Sequence, residues 1–210
     1  PPRSTLFPYT TLFRSLYTIY RKYERGHETN QAMVQQEYLE AKRLIERKEY
    51  ERAFPLLARV VENSDLVDAC LQMGHVGQKL GKIREAKEAL EKAFRLSPEN
   101  PQVIYQKALF HASLREDGEA LRGFDLYLAK RPEEAGAYRE RAQVLRNLQR
   151  NEAADRDIRK ANEIEEAALH QALSTIHKNA SEKPDVALAQ LDDLLQRHPA
   201  YEKGYVERAF

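Results

Sequence analysis

The chain has 210 residues, 32% of them charged, with 8 Gly, 9 Pro and no Trp. That is enough chain for one ordinary domain, and the composition suits solvated helices better than sheets or disorder. Formal net charge is +1, but residues 1–33 carry five basic and two acidic side chains, leaving 29 basic against 31 acidic in the rest. A nearly neutral body lacks the bulk excess of Lys and Arg that displaces counterions from phosphates, so no nucleic-acid partner is expected. The single thiol, Cys70, excludes an internal disulfide.

Thr5 to Ser15 reads TLFPYTTLFRS, which resembles the in-frame translation of a sequencing-adapter oligonucleotide, and residues 1–15 are set aside as a non-native leader. Residues 16–33, opening with LYTIYRKYER, form a lead-in or linker helix too short to span a membrane. No apolar run in the chain reaches the roughly 20 residues of a membrane helix. If the leader is foreign, the natural start of the protein lies upstream, and the compartment is left undetermined.

From residue 34 onward the chain repeats itself. Ala53, Ala86, Ala120, Ala154 and Ala187 recur at intervals of 33, 34, 34 and 33, each followed four positions later by an apolar residue: Leu57, Leu90, Phe124, Ile158 and Leu191. Pro98 and Pro132 are 34 apart. The copy from Val67 has Gly74, Ala86, Ala93 and Pro98 at its marker positions; that from Pro101 has Ala108, Ala120 and Pro132; that from Ala135 has Ala142, Ala154 and Ala161, with Glu166 where proline is expected. Looser copies begin at Val34, marked by Ala41 and Ala53, and at Ala168, marked by Ala187 and Pro199. A truncated sixth begins near Glu202, where YVERA repeats the YRERA of Tyr138 to Ala142.

This pattern resembles the tetratricopeptide repeat, with small residues at the eighth and twentieth positions and proline near the thirty-second. The resemblance covers about 175 residues and implies an all-α fold: a right-handed α-solenoid of stacked antiparallel helix pairs over residues 34–210. Each copy holds two amphipathic helices of about 13 residues, neither able to bury its apolar stripe alone. For helices to cross at roughly 8 to 10 Å the contact must be small. Gly74, Ala108 and Ala142 are therefore expected to meet Ala86, Ala120 and Ala154, with Leu80, Leu114, Leu148, Leu90, Phe124 and Ile158 filling the layers. Gly81 suits the left-handed residue that ends a helix, and Asn100-Pro101 and Asp117-Gly118 read as helix starts. Between Ile158 and Leu173 no Gly or Pro interrupts the pattern, so there the turn is displaced or two helices run together.

The resemblance implies a concave inner surface lined by the first helix of each pair, the surface such arrays use for binding. Its inward positions are Tyr38, Lys42, Gln72, His75, Tyr105, Gln106, Leu109, Arg139, Gln143 and Arg146. This mixture suits an extended segment or a helix carrying apolar anchors and carboxylates, with Tyr105 and Arg139 the favoured hot spots by residue type. The family's clamp for chaperone tails is only fragmentary in Tyr38, Lys42, Gln72, Gln102 and Gln106. Catalysis has little to stand on. The six histidines are scattered, Cys70 falls where the family buries a residue, and neither a phosphate-binding glycine loop nor a nucleophile elbow occurs. The expected role is a protein-interaction scaffold without a catalytic site, metal or cofactor; the alternative is an accessory domain of a larger enzyme.

Overall fold

The computed structural model describes Tyr17, residues 30–180 and residues 182–199, and all that follows concerns these. The truncated sixth copy lies outside them, as do residues 1–15 and nearly all of the lead-in. Residues 30–46 form α1, followed by α2 (Tyr50–Asn63), α3 (Val67–Lys79), α4 (Ile83–Leu96), α5 (Pro101–Ser113), α6 (Asp117–Lys130), α7 (Ala135–Asn147), α8 (Asn151–Ala180) and α9 (Pro184–Arg197). No strand occurs among the described residues, and no described helix is long and apolar enough to cross a membrane. The fold is all-α, of the solenoid class built from antiparallel helix pairs. By contacts the chain divides into two compact units, residues 1–110 and 111–210, with the division inside α5.

In the first unit the core forms where helix faces from consecutive pairs meet. Tyr38 and Ala41 of α1, Phe54, Leu57 and Val60 of α2, Ala69, Met73 and Val76 of α3 and Ala89 of α4 make one cluster. Small side chains set the helix spacing, though not with the pairing expected. A Cβ on Gly74 would stand 2.7 Å from Leu90 Cγ, and one on Gly77 3.0 Å from Ala86 Cβ. Ala86 therefore meets Gly77, one helical turn beyond Gly74, and Gly74 receives the leucine. In the second unit Ala142, Leu145 and Ala154 do cluster together, joined by Ile158. Ala86, Ala120 and Ala154 are all fully buried, whereas Leu148 is 37% exposed.

The turns within the first four pairs share one construction. Lys48, Gly81, Arg115 and Gln149, at successive intervals of 33, 34 and 34, all have φ between +60° and +70°. In each, the next residue's N–H reaches back five residues, as from Glu49 to Leu44 (2.9 Å), Lys82 to Gly77 (2.8 Å), Glu116 to His111 (3.0 Å) and Arg150 to Leu145 (2.8 Å). The left-handed residue bonds three back, completing a Schellman closure that satisfies carbonyls a helix end leaves open. Only one of the four is glycine. At the helix starts, Asn100 Oδ1 accepts from the Gln102 N–H at 2.9 Å, ahead of Pro101 in the first turn. Asp117 is not a cap: Glu116 precedes α6, and Asp117 lies inside the helix, where it accepts from Asn147 Nδ2 at 2.9 Å. Lys92 of α4 donates to the carbonyls of Val61 and Ser64, both at 2.7 Å, beside Asp65, and so closes the C-terminal end of α2.

Helix α8 departs from the repeat. It runs unbroken for 30 residues, about 45 Å, through the place where the fourth copy should turn into the fifth. Ala154, Ile158, Ala161, Glu165, Leu169, Ala172 and Ile176 follow at steps of 4, 3, 4, 4, 3 and 4, each buried or half-buried, giving one stripe along the whole helix. Helix α7 packs on its first part, and α9 packs on it after the turn that follows Ala180. Two polar surfaces accompany the missing turn. On the fourth copy's forward face, exposed Asp155 and Asn162 stand where the first copy has buried Phe54 and half-buried Val61. On the fifth copy's receiving face, His170, Ser174 and His177 are exposed where the second has buried Ala69, Met73 and Val76. Polar faces gain little by stacking, and Ile164 to Ala167 contains only residues a helix accepts. Thr175, at the eighth position of the copy from Ala168, is exposed, so α9 does not use the ordinary pairing face.

Candidate partner-binding surface

The first helices of the pairs, α1, α3, α5 and α7, carry all ten residues singled out from the sequence, and their environments differ. In the first unit Tyr38 is only 6% exposed: its ring joins the core cluster and its hydroxyl donates to Asp68 of α3. Burial first, then that hydrogen bond to a carboxylate, holds the Tyr38 phenol well above its ordinary range. The exposed residue beside it is Leu39, at 48%. Leu39 and Lys42 occupy the sixth and ninth positions of their copy, as Gln72 and His75 do in α3 and Gln106 and Leu109 in α5. Three residues apart, the members of each pair share a helix face. Lys42 lies 5.7 Å from the centre of the Tyr38 ring, a cation over an aromatic face. His75 meets Tyr50 edge-on with ring centres 6.4 Å apart. Burial, then the charge of Lys79, pulls the His75 imidazole below its ordinary range, so it stands neutral as donor and acceptor. Tyr105, Gln106 and Leu109 are half-buried.

In the second unit the candidate residues are Arg139, Gln143 and Arg146 of α7, all exposed. Arg139 grips Glu165 of α8 with two nitrogens, Nη1 on Oε1 and Nη2 on Oε2, the latter at 2.7 Å, and also donates to Asn162 Oδ1 at 3.2 Å. The arginine hydrogen bond holds the Glu165 carboxyl below the usual carboxylate range, and the charge of His198, just past α9, pulls the same way. Gln143 donates to Asn147 Oδ1 at 3.3 Å, and Arg146 lies 3.7 Å from Asp155.

Sequence reasoning passed over Leu39 and a charged cluster around Arg141. The Arg141 guanidinium donates through Nε and Nη2 to both oxygens of Asp157, each at 2.7 Å, and through Nη1 to Asp125 at 2.8 Å, tying α6, α7 and α8 together. Asp157 is 6% exposed, so this fork neutralises a buried carboxylate. Its signal was an Arg in the seventh position of a copy, where Met73 stands in the second. Cys70 is fully buried and burial pushes its thiol up, the environment of a small apolar side chain. Among the described residues no group of three or more His, Cys, Asp and Glu is placed to hold a metal ion.

Helix pairs of 13 and 14 residues, joined by a recurrent left-handed turn and spaced by buried small side chains at a 33- to 34-residue interval, make a fold of the tetratricopeptide-repeat kind. Residues 67–100 match the tetratricopeptide repeat family. Among solved structures the chain is similar to MamA at 19% identity, covering 70% of this chain and 87% of that one with a TM-score of 0.62. It is also similar to MamA 41-end from Desulfovibrio magneticus RS-1, at 16% identity, 80% and 97% coverage and a TM-score of 0.61. A third is MamA AMB-1, at 25% identity, 63% and 73% coverage and a TM-score of 0.56. Compared with curated protein sequences, the chain has no significant match. These likenesses concern the fold.

Proposed function

We propose that the protein is a non-catalytic interaction scaffold that holds a partner protein or peptide on the first-helix faces of its pairs, without a nucleic-acid partner. The observation that supports this reading is that Leu39 and Lys42, Gln72 and His75, and Gln106 and Leu109, all in one unit, hold the sixth and ninth positions of successive first helices and are exposed or half-buried there. An exposed leucine, a cation, amides and a neutral imidazole offer an apolar anchor with hydrogen-bonding groups around it, the mixture that seats an extended or helical segment. The repeat matched at residues 67–100 contributes two of these positions, Gln72 and His75.

Selection of binding peptides from a random library on the full chain, followed by affinity measurement on a Leu39→Ala, Lys42→Ala, Gln72→Ala, His75→Ala variant, tests the reading. All four sites lie at half-buried or exposed positions, so circular dichroism should stay unchanged while affinity falls by about tenfold or more. Selected peptides that bind this variant at full strength would refute the surface.

A further inference from the structure

We infer that Glu165 is an internal occupant of Arg139, held there by the continuity of α8, and that a partner carboxylate reaching α7 must compete with it. Arg139 holds the fifth position of its copy, which in the other first helices is Tyr38, Leu71 or Tyr105, and its fork is filled from α8 by Glu165 and Asn162. Glu165 holds the thirty-first position. In the three preceding copies that position is Ser64, Ser97 and Arg131, each the residue at which the second helix has already ended. There the chain turns away; only in the fourth copy does helix carry a carboxylate past this point and back over the first helix.

Helix continuity and occupation of Arg139 are therefore one structural event. Glu165 sits in the middle of the stripe that packs α8, where a carboxylate is tolerated because the guanidinium meets both its oxygens. Both side chains are close to half-exposed, 44% and 46%, so the pair is held weakly enough for another carboxylate to exchange with it. A ligand favouring the vacated arginine lowers the support for helix around Glu165, and by reciprocity loosening that helix raises affinity for the ligand. The contact is autoinhibitory, and it rests on the reading of first-helix faces as the partner surface.

The test uses the full chain and needs no native ligand. A tetraglutamate peptide serves as carboxylate probe at low ionic strength, with Glu163→Gln as a control that changes net charge equally on the same helix. Glu165→Gln should bind the probe about 2- to 5-fold tighter than Glu163→Gln. Combining it with Arg139→Gln should remove that gain. Amide hydrogen exchange, without peptide, should show residues 163–168 exchanging several-fold faster in Glu165→Gln and in Arg139→Gln, but not in Glu163→Gln. Equal affinities for the two glutamine variants, a gain that survives loss of Arg139, or exchange unchanged in both Arg139→Gln and Glu165→Gln would overturn the inference. The exchange measurement is independent of any binding surface, so a scaffold reading that fails on Leu39 and its neighbours leaves this result standing on its own.

Discussion

Three of the four left-handed turns place an ordinary side chain in a conformation glycine adopts freely, and this sets up a stability test with a sign on each side. Lys48, Arg115 and Gln149 have φ of 61°, 60° and 61°. A left-handed non-glycine residue costs about 1 to 2 kcal/mol, while glycine gives back roughly 0.5 to 1 kcal/mol in unfolded-chain entropy. Each change to glycine should therefore gain about 0.5 to 1 kcal/mol, since the Schellman bonds are backbone groups and survive substitution. The triple variant Lys48→Gly, Arg115→Gly, Gln149→Gly should gain about 1.5 to 3 kcal/mol, the sum of three turns that share no hydrogen-bond partner. The converse is Gly81→Ala at φ 70°, where an added Cβ meets nothing within 4 Å. Its cost, about 1 kcal/mol, would report backbone strain without any steric clash. Urea unfolding followed by far-ultraviolet circular dichroism reads both. A triple variant no more stable than the parent, or a neutral Gly81→Ala, would show that these turns relax and that the strain argument is wrong.

Ala120→Leu, at a fully buried small position, should destabilise by about 1 to 3 kcal/mol through overpacking, and an unchanged urea midpoint would count against the packing described. Gly77→Val should cost as much, because its Cβ would press at 3.0 to 3.4 Å on Ala86 and the Lys82 carbonyl, which have little room to give. Arg141→Leu strands Asp157 at 6% exposure without its fork and should cost about 3 kcal/mol, more than the exposed ion pairs among the described residues; thermal unfolding would show it. The Glu165 carboxyl is held below its unfolded range, so the stability it contributes is present above the ordinary carboxylate pKa and lost as pH falls through its lowered folded value. Stability measured from pH 5 downward should decline less steeply in Glu165→Gln than in the parent.

Much of this architecture is legible in residue spacing. The alanines at 53, 86, 120 and 154 mark buried contacts because no larger side chain lets two helices approach, and that demand recurs with each pair. The partner of each alanine is less legible, since Gly74 and Gly77 lie one turn apart on the same helix and either could meet Ala86. Of the four left-handed turns only Gly81 announces itself, because Lys, Arg and Gln tolerate the conformation at a cost the sequence does not display. The surface residues were harder. Tyr38 and Leu39 are neighbours, and which one faces solvent depends on whether the phenol finds an acceptor, here Asp68, thirty residues away. The fused helix could have been anticipated from the stripe that runs on through Leu169 and Ile176, and from the polar faces at Asp155, Asn162, His170 and His177, read together.

The 30-residue span of α8 also sets its tolerance for insertions apart from that of the loops. A residue added to the connection at 97–100 lengthens a surface segment at small entropic expense. One residue added between Asn162 and Leu169 rotates everything beyond it by about 100° around the axis and advances it by 1.5 Å. Such a phase error would rotate Leu169, Ala172 and Ile176 out of the stripe begun by Ala154, Ile158 and Ala161. Length in the middle of this rod is fixed by angle, so inserting a single residue is as disruptive there as in a coiled coil, while a full heptad would restore the facing and displace the last helix along the axis by about 10 Å.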